Sequence, residues 1–294
     1  MKQINNLLRK NNYKPKAYKK IGKNIVVETE NGLLVVKPKV ENQEIRNYLK
    51  TRNFDYYPSI INESNDYEIT EYIDEISIPD DQKISDLITL TALLHSKTTH
   101  YKEVDEAEYK KLYEDLSNNI EYLFEYYSDI INIIDSKVYM SPSEYLLARN
   151  ISSIFSSLKY CKIEINNWYK LIEEKRKMRV VVIHNNLSLD HYIKNTSDYL
   201  ISWGKSKVDL PIFDLYKLYL KHCLDFDFYE LFKKYEGIYP LKADERLLLM
   251  ILINMPLKIE FNDTNYNMCK RVSEELDKLY KSHNIIEEYK KIND

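Results

Sequence analysis

The sequence predicts an α+β fold in which a small antiparallel sheet precedes a larger helical part. Short apolar runs separated by turn residues fill positions 16–72, a pattern typical of consecutive strands. From residue 80 onward, apolar residues recur at helical spacing. A run of β-branched residues, Val180–Ile183, interrupts the helical pattern and indicates a buried strand. We therefore predict a β-rich N-terminal part at 1–74 and a helical part at 75–294.

The N-terminal part carries signals for two helices and a series of strands. A short polar helix or arm is predicted at 1–13, and a helix with Ile45, Tyr48 and Leu49 on one face is predicted at 41–52. The dipeptide Asn31-Gly32 is the strongest hairpin signal in the chain, because both residue types tolerate positive φ. The predicted strands are Lys16–Ile21, Ile25–Glu28, Leu33–Lys37, Ser59–Ile61 and Tyr67–Tyr72.

The second part is predicted from helical periodicity and helix-start signals. Ser141 is predicted to cap a helix that has Pro142 in its first turn. The strongly apolar run Leu241–Ile253 predicts a helix buried at the centre. Helical segments are predicted at 84–95, 108–133, 145–175, 211–235, 241–253 and 265–291.

The composition describes an ordinary globular chain and excludes several classes of protein. A length of 294 residues fits one large or two small domains. The net charge of -3, without a dominant basic block, argues against nucleic-acid binding. The longest apolar run, Leu247–Met255, is too short to span a membrane, and residues 1–20 lack the apolar stretch of a signal peptide. We therefore expect a cytoplasmic protein. Its widely spaced cysteines indicate neither a zinc site nor a disulfide framework (Cys161, Cys223 and Cys269).

The segment 180–215 resembles the catalytic loop and metal-binding hairpin of aminoglycoside phosphotransferases and choline kinases. That family has the protein-kinase-like fold. Its pattern is an apolar strand, the loop H-G-D-x-x-x-x-N, a hairpin that returns with an aspartate, and a P-x-x-D-L helix start. The resemblance extends along the chain, because a lysine hairpin and an L-L-H helix lie upstream in the family's order. It implies a two-lobed fold with a small antiparallel-sheet N-lobe and a large helical C-lobe.

The resemblance assigns roles to five positions, and three of them carry an unexpected residue. His184 matches the family histidine, whereas Asn186 stands where the catalytic aspartate is expected. His191 stands at the metal-binding asparagine and Ser202 at the second metal-binding aspartate. Asp214, in the sequence P-I-F-D-L, keeps the family's acid, whose role is structural.

Upstream, the resemblance points to Lys37 as the lysine that contacts the nucleotide phosphates. The alternative is an ordinary lysine at a strand end. Kinase folds pair this lysine with a helix glutamate. Glu44 is the better candidate for that partner and Glu41 the second, although their spacing from Lys37 is shorter than in the family. The alternative for Glu44 is an exposed helix residue.

The segment 68–74 resembles the family's hinge between lobes. Its backbone groups, around Glu71 and Tyr72, would hydrogen-bond an adenine. The alternative is an edge strand that leaves the sheet. Both alternatives predict the same secondary structure.

These substitutions bear directly on phosphoryl transfer, which depends on positioning and on cations at the phosphates. An asparagine at 186 cannot accept a proton in the useful pH range. Magnesium prefers carboxylate and water oxygens, whereas His191 offers an imidazole and Ser202 a hydroxyl. We therefore expect no magnesium site, and ATP binding that is weak and metal-free or absent. Asp190 could supply a metal ligand only if the loop shifted by one residue.

Three functions remain open from the sequence. The first is a kinase-fold pseudoenzyme that binds a small molecule or a protein. The second is an active phosphotransferase with an alcohol acceptor, which uses Asp190, Lys37 and an unusual metal. A cationic acceptor would suit the acids near the hinge (Glu71, Asp74, Glu75, Asp80 and Asp81). The third is a helical interaction protein with a filled cleft.

In the order and spacing of its motifs, the chain is most similar to bacterial spore-coat kinase-like proteins. The strand G-L-L-V-V-K and the helix segment L-L-H-S carry this similarity. A spore association is implied by the resemblance alone.

Overall fold

The computed structural model describes residues 2–39 and 43–293. The helices are α1 (Lys2–Lys10), α2 (Gln43–Thr51), α3 (Asp80–Thr98), α4 (Glu106–Asp135), α5 (Pro142–Glu173), α6 (Ile212–His222), α7 (Phe228–Ile238), α8 (Ala243–Asn254) and α9 (Asn265–Asn293). The strands are β1 (Pro15–Ile21), β2 (Asn24–Thr29), β3 (Gly32–Pro38), β4 (Ile60–Glu63), β5 (Tyr67–Glu71), β6 (His100–Glu103), β7 (Lys177–Ile183), β8 (Tyr192–Lys194), β9 (Asp198–Leu200) and β10 (Lys207–Asp209). The predicted α+β class is confirmed.

The chain forms two compact units. The first unit comprises residues 1–98 and 184–207, and the second comprises 99–183 and 208–294. The first unit therefore contains the N-terminal sheet, α3 and the loop and hairpin that follow β7. The division predicted after residue 74 follows secondary structure alone and stays a prediction.

The first unit contains an antiparallel sheet with the strand order β1-β2-β3-β5-β4. The predicted hairpin is confirmed: Thr29 pairs with Gly32, so the two turn residues are Glu30 and Asn31 and Gly32 begins β3. Gly32 has a φ of 118°, which favours glycine at this position. Because β5 lies between β3 and β4, the alternative of an edge strand at 68–74 is wrong.

Helix α1 covers one face of this sheet. Its apolar residues at positions 4, 7 and 8 share a helical face, and they pack against apolar side chains of β2, β3 and β5. Leu8 and Ile69 are fully buried, and full burial of such a side chain stabilises by about 1.5–3 kcal/mol. The core cluster comprises Ile4, Leu7, Leu8, Val27, Leu34, Val36 and Ile69.

The second unit is organised around α5, which packs against α4, α8 and α9. The predicted start of α5 is confirmed: Ser141 caps the helix in a reciprocal capping box with Glu144, and Pro142 lies in the first turn. The predicted central helix is also confirmed, because α8 is buried along residues 248–254. No helix in the described part of the chain is long and apolar enough to cross a membrane.

Two features of the second unit differ from the predictions. The helical segment predicted at 211–235 is two helices, since Asp227 accepts hydrogen bonds from Tyr229 N and Glu230 N and starts α7. Strand β7 is confirmed at the buried run Val180–Ile183, but it lies between β10 and a strand that was not predicted, β6. The polar sequence His100–Glu103 gives no strand signal of its own, because its extended form depends on pairing with β7.

Candidate functional site

His184 connects the loop that follows β7 to the end of the hairpin β8–β9 through a hydrogen bond and a ring contact. Its side chain is fully buried. Its Nε2 donates a hydrogen bond of 2.8 Å to the carbonyl oxygen of Ile201. Its ring meets that of Trp203 edge-on, with a centroid separation of 4.9 Å, and Trp203 Nε1 donates to Leu200 O at 2.8 Å. The predicted histidine therefore has a partner that fixes the loop geometry.

The next two residues shape the loop through the side-chain amide of Asn185 and the backbone carbonyl of Asn186. Asn185 has a φ of 62°, a left-handed conformation that asparagine tolerates, and its Nδ2 donates to Lys205 O at 2.8 Å. Asn186 is half-buried, and its carbonyl oxygen accepts a hydrogen bond of 2.7 Å from His191 Nδ1. The residue at the predicted catalytic-aspartate position and the residue at the predicted metal position are thus bonded to each other.

His191 faces the loop, whereas its neighbour Asp190 is exposed to solvent. The backbone of His191 also accepts a hydrogen bond of 2.9 Å from Ile201 N, which brings Ser202 into the same cluster. Ser202 adopts a left-handed conformation with φ 68° and ψ 43°. The structure therefore brings His184, Asn186, His191 and Ser202 together. Within the described residues, no group of three or more His, Cys, Asp or Glu side chains is arranged to hold a metal ion.

A second polar cluster, which the sequence did not reveal, braces the hairpin. Lys194 Nζ lies 2.7 Å from Asp198 and 3.1 Å from Asp86 on α3. Tyr192 Oη donates to Asp198 at 2.6 Å, and burial together with the two carboxylates raises the pKa of Tyr192. Lys194 and Asp198 face each other across the turn of the hairpin. Asp86 lies 108 residues away from Lys194, so its contact depends on the packing of α3 against the hairpin.

Lys37 pairs with a carboxylate other than the predicted one. Its Nζ lies 3.1 Å from Glu68, whose side chain is fully buried. Arg46 donates to both oxygens of the same carboxylate, with Nη2 at 2.8 Å from Oε1. Glu44 is exposed, so the predicted pairing of Lys37 with Glu44 is not formed. The second candidate, Glu41, lies outside the described residues.

Strand register and helix geometry explain why Lys37 pairs with Glu68 instead of Glu44. Lys37 and Glu68 are direct partners in the antiparallel ladder between β3 and β5, so their side chains share one face of the sheet. On α2, residues two positions apart point in roughly opposite directions, so Arg46 points inward when Glu44 points to solvent. Helix α2 thus supplies a guanidinium where a glutamate was predicted.

Burial and the neighbouring charges shift the pKa values of Glu68 and Lys37. Burial alone would raise the pKa of Glu68, but the hydrogen bond from Arg46 and the charges of Lys37 and Arg46 outweigh it and lower this pKa. Burial lowers the pKa of Lys37, and the neighbouring Arg46 adds to that effect while Glu68 opposes it. Two cations that share one carboxylate leave the cluster with one net positive charge.

The lowered pKa of Glu68 predicts a specific sensitivity to acid. A carboxyl group with a depressed pKa in the folded state stabilises the protein above its unfolded pKa, and that stability is lost as the pH falls through the folded value. The shift of Lys37 acts at alkaline pH instead. We expect the difference in unfolding free energy between wild type and Glu68→Gln to shrink as the pH falls below about 4. Denaturant unfolding followed by circular dichroism between pH 6 and pH 3 measures it.

Glu63→Gln is the matched control, because Glu63 pairs with Lys39 at 3.4 Å in a partly exposed position. Its difference from wild type should stay small throughout this range. A Glu68→Gln difference that does not change with pH would contradict the assignment.

The residues predicted for the hinge lie at the end of β5. The Glu71 carboxylate accepts a hydrogen bond of 2.8 Å from Ser59 N, and Tyr72 is exposed. The segment that follows is bonded to the hairpin, through Ile76 N to Lys194 O at 2.8 Å and Asn195 Nδ2 to Asp74 O at 2.6 Å. Recognition of an adenine by this backbone stays a prediction.

Asp214 belongs to the second unit. Its side chain is fully buried in the first turn of α6, and its backbone N–H donates to Pro211 O at 3.3 Å. This burial fits the structural role that the resemblance implied. That role itself stays a prediction.

Comparison with known proteins gives matches in structure alone. No protein-family model matches the chain, and no curated protein sequence matches it. An aminoglycoside phosphotransferase from Alicyclobacillus acidocaldarius is similar with a TM-score of 0.70 at 10% identity, over 93% of this chain and 92% of that chain. An AMP-bound spectinomycin phosphotransferase is similar with a TM-score of 0.58 at 13% identity, over 96% and 98%. A choline kinase from Streptococcus pneumoniae is similar with a TM-score of 0.50 at 15% identity, over 94% and 98%.

These likenesses show the fold. It is the protein-kinase-like α+β fold of aminoglycoside phosphotransferases and choline kinases, with an antiparallel sheet followed by a large helical part. The fold implied by the sequence resemblance is therefore confirmed.

Proposed function

We propose that this protein is a kinase-fold pseudoenzyme, which has lost metal-dependent phosphoryl transfer and acts by binding. The observation that carries the proposal is the state of the carboxylates in the loop and hairpin. The segment 184–207 contains two carboxylate side chains, those of Asp190 and Asp198. Asp198 accepts hydrogen bonds from Tyr192 and Lys194, whereas Asp190 is exposed beside the inward-facing His191. Magnesium is held chiefly by carboxylates and phosphates, so this segment offers it little.

The residue at the catalytic position supports the same conclusion. An amide at Asn186 can hydrogen-bond an acceptor hydroxyl but cannot take its proton. Loss of a positioned general base removes about two to four orders of magnitude in rate. The backbone carbonyl of Asn186 also accepts a hydrogen bond from His191 Nδ1, which engages the imidazole at the predicted metal position.

The ligand that suits the site best is an anion that binds without a metal ion. Lys37 and Arg46 are two cations around one carboxylate, and both side chains retain some exposure, 21% and 15%. Of the similar structures, the spectinomycin phosphotransferase is an AMP-bound complex. A nucleotide is therefore the first small molecule to test, with a protein partner as the other class of ligand. The cytoplasmic location and the spore association stay predictions.

Thermal unfolding with ATP tests the proposal. A ligand that binds the native state raises its stability by mass action, by about 2.7 kcal/mol at a hundredfold excess over Kd. We expect any increase in Tm with ATP to be the same with Mg²⁺ or Mn²⁺ as with EDTA. Lys37→Ala should abolish the increase, because it removes the amine proposed to contact the phosphates.

An assay of ADP release completes the test. We expect ADP release no faster than in a buffer control. The opposite result would be a metal-dependent increase in Tm together with turnover that Asp190→Ala abolishes and Asp129→Ala, an exposed control on α4, does not. That result would overturn the proposal and establish an active phosphotransferase.

A further inference from the structure

An aromatic groove lies in the second unit, between the connection from α6 to α7 and the later part of α9. Its volume is about 480 Å³. Tyr219 and Phe228 line it and are buried, whereas Phe226 and Tyr229 are half-buried. Tyr280 on α9 also lines it and is 68% exposed. The groove therefore has aromatic walls, and three of its rings keep surface that a ligand can reach.

The carboxylates that line this groove outnumber its cations. Asp225, Asp227 and Glu288 line it together with one lysine, Lys281, so three negative charges face one positive charge. The Lys281 amine donates a hydrogen bond of 2.8 Å to the carbonyl oxygen of Leu224. Glu288 is paired with a lysine in the last turn of α9 at 2.6 Å. The surplus of negative charge thus rests on the two aspartates.

Neither aspartate forms an ion pair with a lysine or arginine of the described part of the chain. Asp225 lies 3.5 Å from His222 Nδ1, and its side chain is 62% exposed. Asp227 is also exposed and accepts hydrogen bonds from Tyr229 N and Glu230 N as the N-cap of α7. Both carboxylates can therefore pair with a cation from another molecule.

Aromatic faces beside carboxylates suit a cation that has an apolar stem. The electron-rich face of an aromatic ring attracts a cation, and Lys233 Nζ of this chain already lies 5.1 Å from the ring centroid of Tyr229. An arginine packs its methylene groups along apolar surface, while its guanidinium stacks on rings and pairs with carboxylates. A neutral apolar ligand would leave both aspartates unpaired, and an anion would be repelled by them.

The groove continues into a second one, which favours an extended occupant. The second groove has a volume of about 640 Å³ and shares Cys223 and Asp225 with the first. Two exposed leucines, Leu224 and Leu257, line it. Pockets for small molecules enclose most of the ligand surface, whereas two joined open grooves follow the length of a polypeptide segment.

We propose that the aromatic groove docks a segment of a partner protein that carries arginine. The guanidinium lies at Asp225 and Asp227, the arginine stem packs against the aromatic side chains, and the adjoining residues of the segment lie along the second groove. The site belongs wholly to the second unit. It does not depend on the nucleotide proposed for Lys37, so a failure of the ATP test leaves it unaffected.

Fluorescence anisotropy with the full chain at low ionic strength tests this proposal. The probe is a fluorescein-labelled peptide in which arginines alternate with serine and leucine, and the comparison peptide has citrulline, a neutral isostere, in place of arginine. We expect the arginine peptide to bind at least tenfold more tightly than the citrulline peptide. The double variant Asp225→Asn with Asp227→Asn should weaken its binding at least tenfold. Asparagine is also a good N-cap, so α7 keeps its start.

The matched control is the double variant Glu230→Gln with Glu287→Gln. It removes the same number of charges from α7 and α9 outside the groove lining, and it should leave the affinity unchanged. The proposal is overturned if the arginine peptide does not bind, if the citrulline peptide binds equally well, or if the two double variants behave alike. Displacement of the peptide by spermidine at the peptide's own Kd would also overturn it, because the groove would then be a site for a small polyamine.

Discussion

Replacing Glu68 with glutamine at neutral pH will lower the free energy of unfolding by about 3 to 5 kcal/mol. The Glu68 side chain is fully buried, and it is the shared partner of Lys37 and Arg46. Glutamine keeps the shape but removes the charge, so two partly buried cations face each other without their carboxylate. Removing one partner of a buried ion pair is costly because the remaining charge is left uncompensated. Urea unfolding followed by circular dichroism measures the loss.

A compensated variant separates charge from shape. Lys37→Met, Arg46→Met and Glu68→Leu together replace the whole cluster with apolar side chains. We expect this triple variant to be more stable than Glu68→Gln, because well-packed apolar replacements of buried ion pairs are often neutral or stabilising. A Glu68→Gln protein within about 1 kcal/mol of wild type would show that the cluster does not hold α2 against the sheet.

Arg179→Met will destabilise the second unit by about 3 to 5 kcal/mol. Arg179 Nε donates to Glu245 at 2.9 Å, and its Nη2 donates to the same carboxylate and to Pro240 O. Its guanidinium also lies 4.3 Å from the ring centroid of Tyr239. Glu245 is 2% exposed, so methionine would leave a buried carboxylate with the backbone N–H of Lys242 as its remaining described partner. Differential scanning calorimetry measures the change.

Arg271→Met provides the matched control. Arg271 also pairs with a carboxylate, Asp263, at 2.9 Å, but its side chain is 48% exposed. Exposed pairs contribute about 0 to 1 kcal/mol, so this variant should stay close to wild type. Equal losses in the two variants would mean that Arg179 contributes no more than a surface pair does.

The fold was accessible from the sequence wherever local signals agreed with tertiary structure. The hairpin at Asn31-Gly32 is formed by local signals, the positive φ of Gly32 and the hydrogen bonds of the Thr29 side chain to Asn31 N and Gly32 O. Ser141 with Glu144 likewise satisfies a helix start within four residues. Strand β6 was missed because His100–Glu103 is polar, and it becomes extended only by pairing with β7, nearly 80 residues later.

The candidate site likewise contains residues that the sequence predicts and contacts that only the tertiary structure determines. The residues that occupy the loop and hairpin could be read from their order in the chain, and the structure brings His184, Asn186, His191 and Ser202 together. The partner of Lys37 could not be read in this way. Glu68 is selected by the register between β3 and β5, and Arg46 by which face α2 presents, and neither relation is encoded at short range.

The two hydrogen bonds between the hairpin and the segment after β5 have a mechanical consequence. Asp74 and Ile76 are tied to Asn195 and Lys194, while the start of the same segment is continuous with an inner strand of the sheet. Because this segment is held at both ends, a displacement at one end is transmitted to the other end. A displacement of the end of β5 would therefore reach the hairpin β8–β9 through this segment.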